Sequence, residues 1–501
     1  MGSIARGSRD PMEPQPVTGS ASVRKRHFSR GVTGCVRVVA VSAACAIIGL
    51  VPSVTGAARV PSGLRIASRS VVSTPVNLIG CPPKSNENTP QVSADPSDPD
   101  RIVVSYTVGD AEAEVVAVSN DRGSTWTRTL LRGLTRCSGN PDGGQVLDPF
   151  LAVGPDGRIY VTTSWGNFDA PPGTLGHDGG RAYLSVSSDG GATFRRPVEP
   201  DPGKVDQRDP MVADQSHPGR VHVFFERVFF LSPLGFVPGP GSLVGIVDSN
   251  DGGRTFGPPR TVASGAPGHD VLTAGSAQSG GSLIVVRADI NDTDIVKILP
   301  TLIGGPALGP TVEKLIAKSS TDGGKTWSND ASVGTYSFFG DSDPGGCCIP
   351  DLAATSDGDA YEVWADRVGS GGRVIVSRST DGGRTWHLKT AVTTAGRAFL
   401  ASVAARPDGH VAVMYYRRSG DAVSVFLVDS ADRGNSWSAP LTLAGPFSWS
   451  ALTFKTDATP FGPYEDLTAL PDGYGAAFTV GTGSRTSSNQ EDVVFVRLTD
   501  R

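Results

Sequence analysis

The chain has 501 residues, 19% of them charged, and a formal net charge of −5 at neutral pH. That length is too great for one ordinary core unless the fold is modular or toroidal. Gly (63) and Pro (38) are abundant and long apolar helical periodicities are missing, which excludes a helical bundle and predicts an all-β chain of short strands and tight turns.

Residues 1–58 read as a leader carrying a signal peptide. Arg24, Lys25, Arg26 and Arg30 precede an apolar run from Val38 to Val51, and Thr55-Gly56-Ala57-Ala58 offers small residues for cleavage. Fourteen apolar positions fall short of the about 20 that span a bilayer. The protein is therefore expected to be secreted, with no membrane association after cleavage. The leader carries seven basic and two acidic residues, so its +5 leaves −10 on the remainder. An acidic body excludes nucleic acid as a partner. Residues 59–84 form an N-terminal segment, and 85–501 the folded body.

Four cysteines remain beyond the leader: Cys81, Cys137, Cys347 and Cys348. Export permits disulfides, and four cysteines allow three complete pairings. A Cys81–Cys137 bridge, an adjacent Cys347–Cys348 bridge, or separate bonds from that pair to Cys81 and Cys137 all stay open. No CxxC or HExxH motif occurs, so neither a metal nor another cofactor is expected.

Beyond residue 85 one composite phrase repeats. A short apolar strand, a Pro/Ser-Asp-Gly-type turn and a strongly apolar strand recur seven times: VSADPSDPDRIVVSY (92–106), LAVGPDGRIYVTTS (151–164), VADQSHPGRVHVFFE (212–226), the degenerate GSAQSGGSLIVVRAD (275–289), LAATSDGDAYEVWAD (352–366), VAARPDGHVAVMYY (403–416) and LTALPDGYGAAFTV (467–480). After six of these a third alternating strand runs into an eight-residue phrase: SNDRGSTW at Ser119, SSDGGATF at Ser187, SNDGGRTF at Ser249, STDGGKTW at Ser320, STDGGRTW at Ser379 and SADRGNSW at Ser430. Each unit thus reads strand A, turn, strand B, strand C, hairpin, strand D. Repeats of this length signal a radial array, and four antiparallel strands repeated radially make a β-propeller. Seven blades are predicted, six being the alternative. The last unit lacks strand D, so part of the N-terminal segment, near Val76–Cys81, is expected to close the ring.

In the octet, Gly supplies a positive φ, the Asp side chain accepts backbone N–H groups of the turn, and the terminal Trp or Phe fills the gap between sheets. This phrase resembles the Asp-box, or bacterial neuraminidase repeat, and the chain over about 85–500 resembles the sialidase-like propeller superfamily. The resemblance implies that the octets are structural staples far from the active centre. Asp121, Asp189, Asp251, Asp322, Asp381 and Asp432 therefore receive structural roles.

If A–B turns and C–D hairpins share one rim, the starts of A strands and ends of B strands share the other. That second rim collects Asp148, Asp209, His269, Asp270, Asp351, Tyr464, Glu465 and Asp466 from the A strands. From the B strands it collects Glu226, Arg227, Arg287, Asp289, Asp366, Arg367, Tyr416 and Arg417. Sialidase chemistry draws on such a set. Arginines hold a carboxylate-bearing sugar bidentately, a Tyr attacks the anomeric carbon with a Glu taking its proton, and an Asp serves as acid/base.

The stretch PYEDLTALPDGYGAAF (463–478) resembles the family's final-blade motif and puts Tyr464 in the nucleophile's place, with Glu226 as its partner. SLIVVRAD (282–289) resembles a strand ending in a substrate-binding arginine, Arg287, to which Arg227, Arg367 and Arg417 are added. Asp148 or Asp209 is the candidate acid/base. The chain departs from the family at its first arginine motif, since the nearest text, Leu64-Arg65-Ile66-Ala67, lacks the Pro. It departs also in having seven units where sialidases have six.

The resemblance implies a sialidase-like glycoside hydrolase acting on terminal acidic sugars of extracellular glycans, and a ring that satisfies its own edges is expected to be a monomer. Two alternatives stand beside it. One is a non-catalytic propeller that binds glycan or protein through its funnel; the other is a two-carboxylate glycosidase using Asp148 with Asp209 or Glu226.

Overall fold

In a computed structural model, the described residues are 61–501 except 75, 83–85, 110, 142, 167–179, 204–205, 208, 228–241, 267–268, 292–311, 337–348, 369–370, 395, 452–461, 463 and 483–490. The leader, Cys347 and Cys348 lie outside them. Apart from short 3-10 turns at Arg136–Ser138 and Trp449–Ala451, every regular element described is a strand.

The strands form seven antiparallel sheets, hydrogen-bonded in sequence order from an inner to an outer strand except where the N-terminal strand completes the seventh. The inner strands are Glu87–Asp95, Gln145–Val153, Met211–Ala213, His269–Ser279, Asp351–Ala354, Arg397–Ala405 and Asp466–Leu470. Five blades have four strands; the second has three plus an isolated Leu184–Val198 bridge, and the third adds the two-residue strand Asp206–Gln207. The chain is a seven-bladed β-propeller.

The seventh blade is closed from the N-terminus, but not by the expected segment. Leu64–Val71 pairs antiparallel with Glu491–Asp500, from Leu64 opposite Asp500 to Val71 opposite Val494. The 76–81 segment instead runs on to the Arg136–Ser138 turn: Ile79 donates its N–H to the Cys137 carbonyl at 2.7 Å, and Cys81 is disulfide-bonded to Cys137. Arg65 therefore stands exposed on an outermost strand, remote from the channel.

All six octets fold alike. In the fourth blade Ser320 Oγ accepts the Gly324 N–H at 2.8 Å and donates to Asp322 Oδ1 at 2.8 Å. Asp322 Oδ1 also accepts the Thr326 N–H at 2.9 Å, while Thr326 Oγ1 donates to Asp322 Oδ2 at 2.6 Å. The Thr326 bonds lead those that hold the Asp322 carboxyl below its usual range.

The octet aromatic reaches the preceding blade. Trp126 packs edge-on to Phe495 of the seventh blade at 5.4 Å, and Trp327 to Phe224 of the third at 6.1 Å. The fifth octet residue is just as close: a Cβ on Gly191 would lie 2.5 Å from Val118 of the first blade, and one on Gly253 2.5 Å from Leu184 of the second. Its glycine thus answers both a positive φ and a contact between blades.

Hydrogen bonds between Gly252 and Gly219, Gly382 and Gly358, and Arg433 and Gly409 join each hairpin to its own A–B turn. Those two kinds of turn form one rim. Antiparallel pairing then places A-strand starts and B-strand ends on the other, as in the pair Asp206 opposite Arg227.

Candidate functional site

On that second rim four of the seven inner strands begin with an irregular step. Pairing with the B strand slips between Asn88 and Gln91, Leu147 and Phe150, Thr273 and Gly275, and Phe399 and Ser402. Thr89, Asp148 and Leu400 hold positive φ there, at 55°, 47° and 47°. The slip is a β-bulge, which re-aims side chains at a barrel or propeller mouth.

Just inside the bulges, residues of all seven blades enclose an axial cavity of about 160 Å³. Phe150, Met211 and Gly275 line the wall of the second to fourth blades; Asp351, Tyr464, Glu465, Asp466 and Gln91 line the other side. Tyr464 is buried, with its ring edge-on to Phe150 at 5.1 Å.

Beside this cavity lies a group of carboxyls. Asp209 is fully buried, immediately before the cavity-lining Pro210 and Met211, and Asp148 stands two residues before Phe150. Ser164 Oγ donates to Asp209 Oδ2 at 3.2 Å, while Asp209 Oδ1 is buried with no hydrogen-bond partner among the described residues. Burial, followed by the charges of Asp206, Asp148 and Glu226, holds the Asp209 carboxyl well above the ordinary range. Burial thus favours the protonated form of Asp209. Two other sequence candidates, Asp148 of the second blade and Glu226 of the third, act electrostatically on Asp209. Glu226 is fully buried and Asp148 is the partly exposed member.

The arginines are distributed differently. Arg287 is buried and forms a fork with Asp330 at 3.2 and 2.6 Å. Arg227 binds Asp206 at 3.0 and 3.2 Å, pairs with Asp201, and lies 4.7 Å over the Phe225 ring. Arg417 lies 4.3 Å over Phe426 in the sixth blade. The Arg367 side chain is outside the described residues. The three described guanidinium groups thus sit in three different blades, each with its own local partner.

Sequence reasoning placed Asp351 and Glu465 on this rim without assigning them work, and it passed over Glu362 and Glu114. The Asp351 carboxylate accepts the N–H of Leu352 at 2.9 Å and of Val403 in the next blade at 2.8 Å. Asp466 repeats the arrangement with Leu467 and, across the ring closure, Val92, both at 2.8 Å. Glu465 accepts the Thr479 N–H at 2.9 Å and is hydrogen-bonded to the Tyr416 hydroxyl at 3.0 Å. The shared position of Asp351 and Asp466, two residues after Ile349 and Tyr464, was the signal available in the sequence.

Residues 304–459 match the model of the BNR repeat-like domain. No curated protein matches the chain. Among solved structures, it is similar to a *Trypanosoma rangeli* sialidase in complex with sialic acid, at 14% identity and a TM-score of 0.43 over 88% of this chain and 60% of that one. A *Penicillium chrysogenum* alpha-L-arabinanase complexed with arabinobiose is similar at 12% identity and 0.42, over 86% and 98%. An ulvan lyase, a polysaccharide lyase, is similar at 12% identity and 0.47, over 85% and 96%.

Proposed function

We propose that this seven-bladed propeller, which carries a BNR repeat-like domain, is a secreted glycoside hydrolase that cleaves terminal sugars with two carboxyl groups, Asp209 as acid and Asp148 as its ionised partner. The observation that supports it is the buried Asp209 carboxyl, whose pKa burial raises, beside the partly exposed Asp148 at the edge of the axial cavity. A buried carboxyl with a raised pKa beside a more exposed one divides naturally into acid and base. Asp209 gives its proton to the glycosidic oxygen as the C–O bond breaks. Asp148 supplies the negative charge that either meets the anomeric carbon or takes a proton from the attacking water. Glu226, behind them, keeps the proton on Asp209.

The leader and the Cys81–Cys137 bridge support export to an oxidising compartment. A carboxylate-bearing substrate suits the site less well. Such a sugar needs free arginines, whereas Arg227 and Arg287 are taken by Asp201, Asp206 and Asp330.

The test is turnover of a panel of neutral aryl glycosides and a sialoside by the secreted chain. Neutral glycosides should be cleaved, and Asp209→Asn should lower kcat/KM by roughly 10²–10⁴-fold, with Tyr464→Phe changing it little. Sialoside cleavage abolished by Tyr464→Phe would restore the acidic-sugar reading. Turnover of nothing in the panel would favour a binding module.

A further inference from the structure

Six inner-strand positions, each in a different blade, line the cavity. In the second to fourth blades they hold Phe150, Met211 and Gly275; in the fifth, seventh and first they hold Asp351, Asp466 and Gln91. The wall of the second to fourth blades is thus largely apolar, while the other side carries Asp351, Glu465 and Asp466 among apolar residues that include Leu400 and Ala401 of the sixth blade. No Lys, Arg or His lines it among the described residues. Each aspartate spends two of its roughly four acceptor sites on backbone N–H groups.

A further carboxyl without a cation lies behind this wall, outside the lining itself. Glu362 pairs with Leu352 across the strands and is fully buried, and neither carboxyl oxygen has a hydrogen-bond partner among the described residues. Its Oε2 stands 3.7 Å from the point where a side chain on the cavity-lining Gly275 would begin. Burial and the charge of Asp351 together raise the Glu362 carboxyl well above its usual range, and burial with the same charge does so to Asp466. Without a cation, burial and mutual charge favour the protonated forms of these carboxyls, and a cation among them would favour ionisation.

We infer that the cavity binds the ammonium group of an amino sugar between Asp351 and Asp466, with the Gln91 carboxamide as a third acceptor. The inference rests on the glycan reading of the funnel for its ligand class and does not need the hydrolytic step. An ammonium offers three donors and supplies the missing charge, while the apolar wall of Phe150 and Met211 faces the sugar ring. At about 160 Å³ the cavity is well below the ~300–1,000 Å³ that takes drug-sized ligands, so it admits one such group and not an oligosaccharide. A metal suits it less, because no three acidic, His or Cys residues gather as metal ligands among the described residues.

The test is calorimetric binding of glucosamine, N-acetylglucosamine and glucuronate to the mature chain near neutral pH. Glucosamine should bind at least ten times more tightly than N-acetylglucosamine, with glucuronate weakest. Asp466→Asn should remove most of that preference, and Glu362→Gln, which breaks no hydrogen bond, serves as a second, milder variant if Asp466→Asn does not fold. Equal binding of the two hexosamines, or a preference for glucuronate, overturns the inference. Selective glucosamine binding without any glycoside turnover would leave it standing and sink the hydrolase; turnover of neutral glycosides without ammonium selectivity would do the reverse.

Discussion

Glu114 illustrates how the ring treats a carboxyl that meets no cation. It lies on the third strand of the first blade, fully buried, and its Oε2 accepts the hydroxyl of Thr163 from the second blade. Burial, partly offset by that bond, raises its pKa from 4.5 to about 8. The native state therefore binds a proton that the unfolded state releases above pH 4.5. Its stabilising contribution is complete below that value and is lost as pH rises towards 8. Glu114→Gln keeps a partner for Thr163 and removes the titration. The variant should gain stability over the parent between pH 5 and pH 8, by on the order of 3 kcal/mol, as read from denaturant unfolding at the two pH values. Parallel pH dependence of the two proteins would show that Glu114 is not the titrating group.

The octet hairpin is the element on which the blades depend, and its two glycines separate strain from packing. In the second blade Gly190 and Gly191 both have positive φ, 74° and 88°. A Cβ on Gly190 would come no closer than 3.4 Å to the mobile end of Arg101, whereas one on Gly191 would strike Val118 at 2.5 Å. Gly190→Ala should cost about 1–2 kcal/mol for the left-handed backbone alone. Gly191→Ala should cost a further ~1–3 kcal/mol for overpacking between blades, measured by denaturant unfolding. Equal losses would mean that the preceding blade gives way freely. These hairpins were legible in the sequence because Ser, Asp, Gly and Thr bond to one another within eight residues. The carboxyl cluster was legible only as a set of candidates on one rim. What neutralises each arginine comes from elsewhere, as Asp330 does for Arg287 at a separation of 43 residues, and no local pattern announces it.

At the scale of the whole ring, one strand holds the ends together. Removing Leu64–Val71 leaves the outer edge of Glu491–Asp500 unpaired, and an open edge recruits other chains. A chain starting after Val71 should aggregate or melt well below one starting at Ser62, as followed by size-exclusion chromatography and thermal unfolding. Matching behaviour would show that the ring closes without it. The sequence announced that a strand was missing but not which segment supplied it. LRIASRSV lies on the outermost face with Arg65, Ile66, Ala67, Arg69 and Val71 exposed, so it lacks the apolar alternation that marks the inner strands. The same ring geometry brings Asp148 and Asp209, from successive blades, to one mouth.

The most direct measurement of that convergence is the dependence of kcat/KM on the leaving group, for the parent and Asp209→Asn, across a series of neutral aryl glycosides. An acid at position 209 predicts a loss of roughly 10²–10⁴-fold for poor leaving groups that fades towards nothing for dinitrophenolate, which departs without a proton. A loss of the same size for every leaving group, or none for any, would contradict the account.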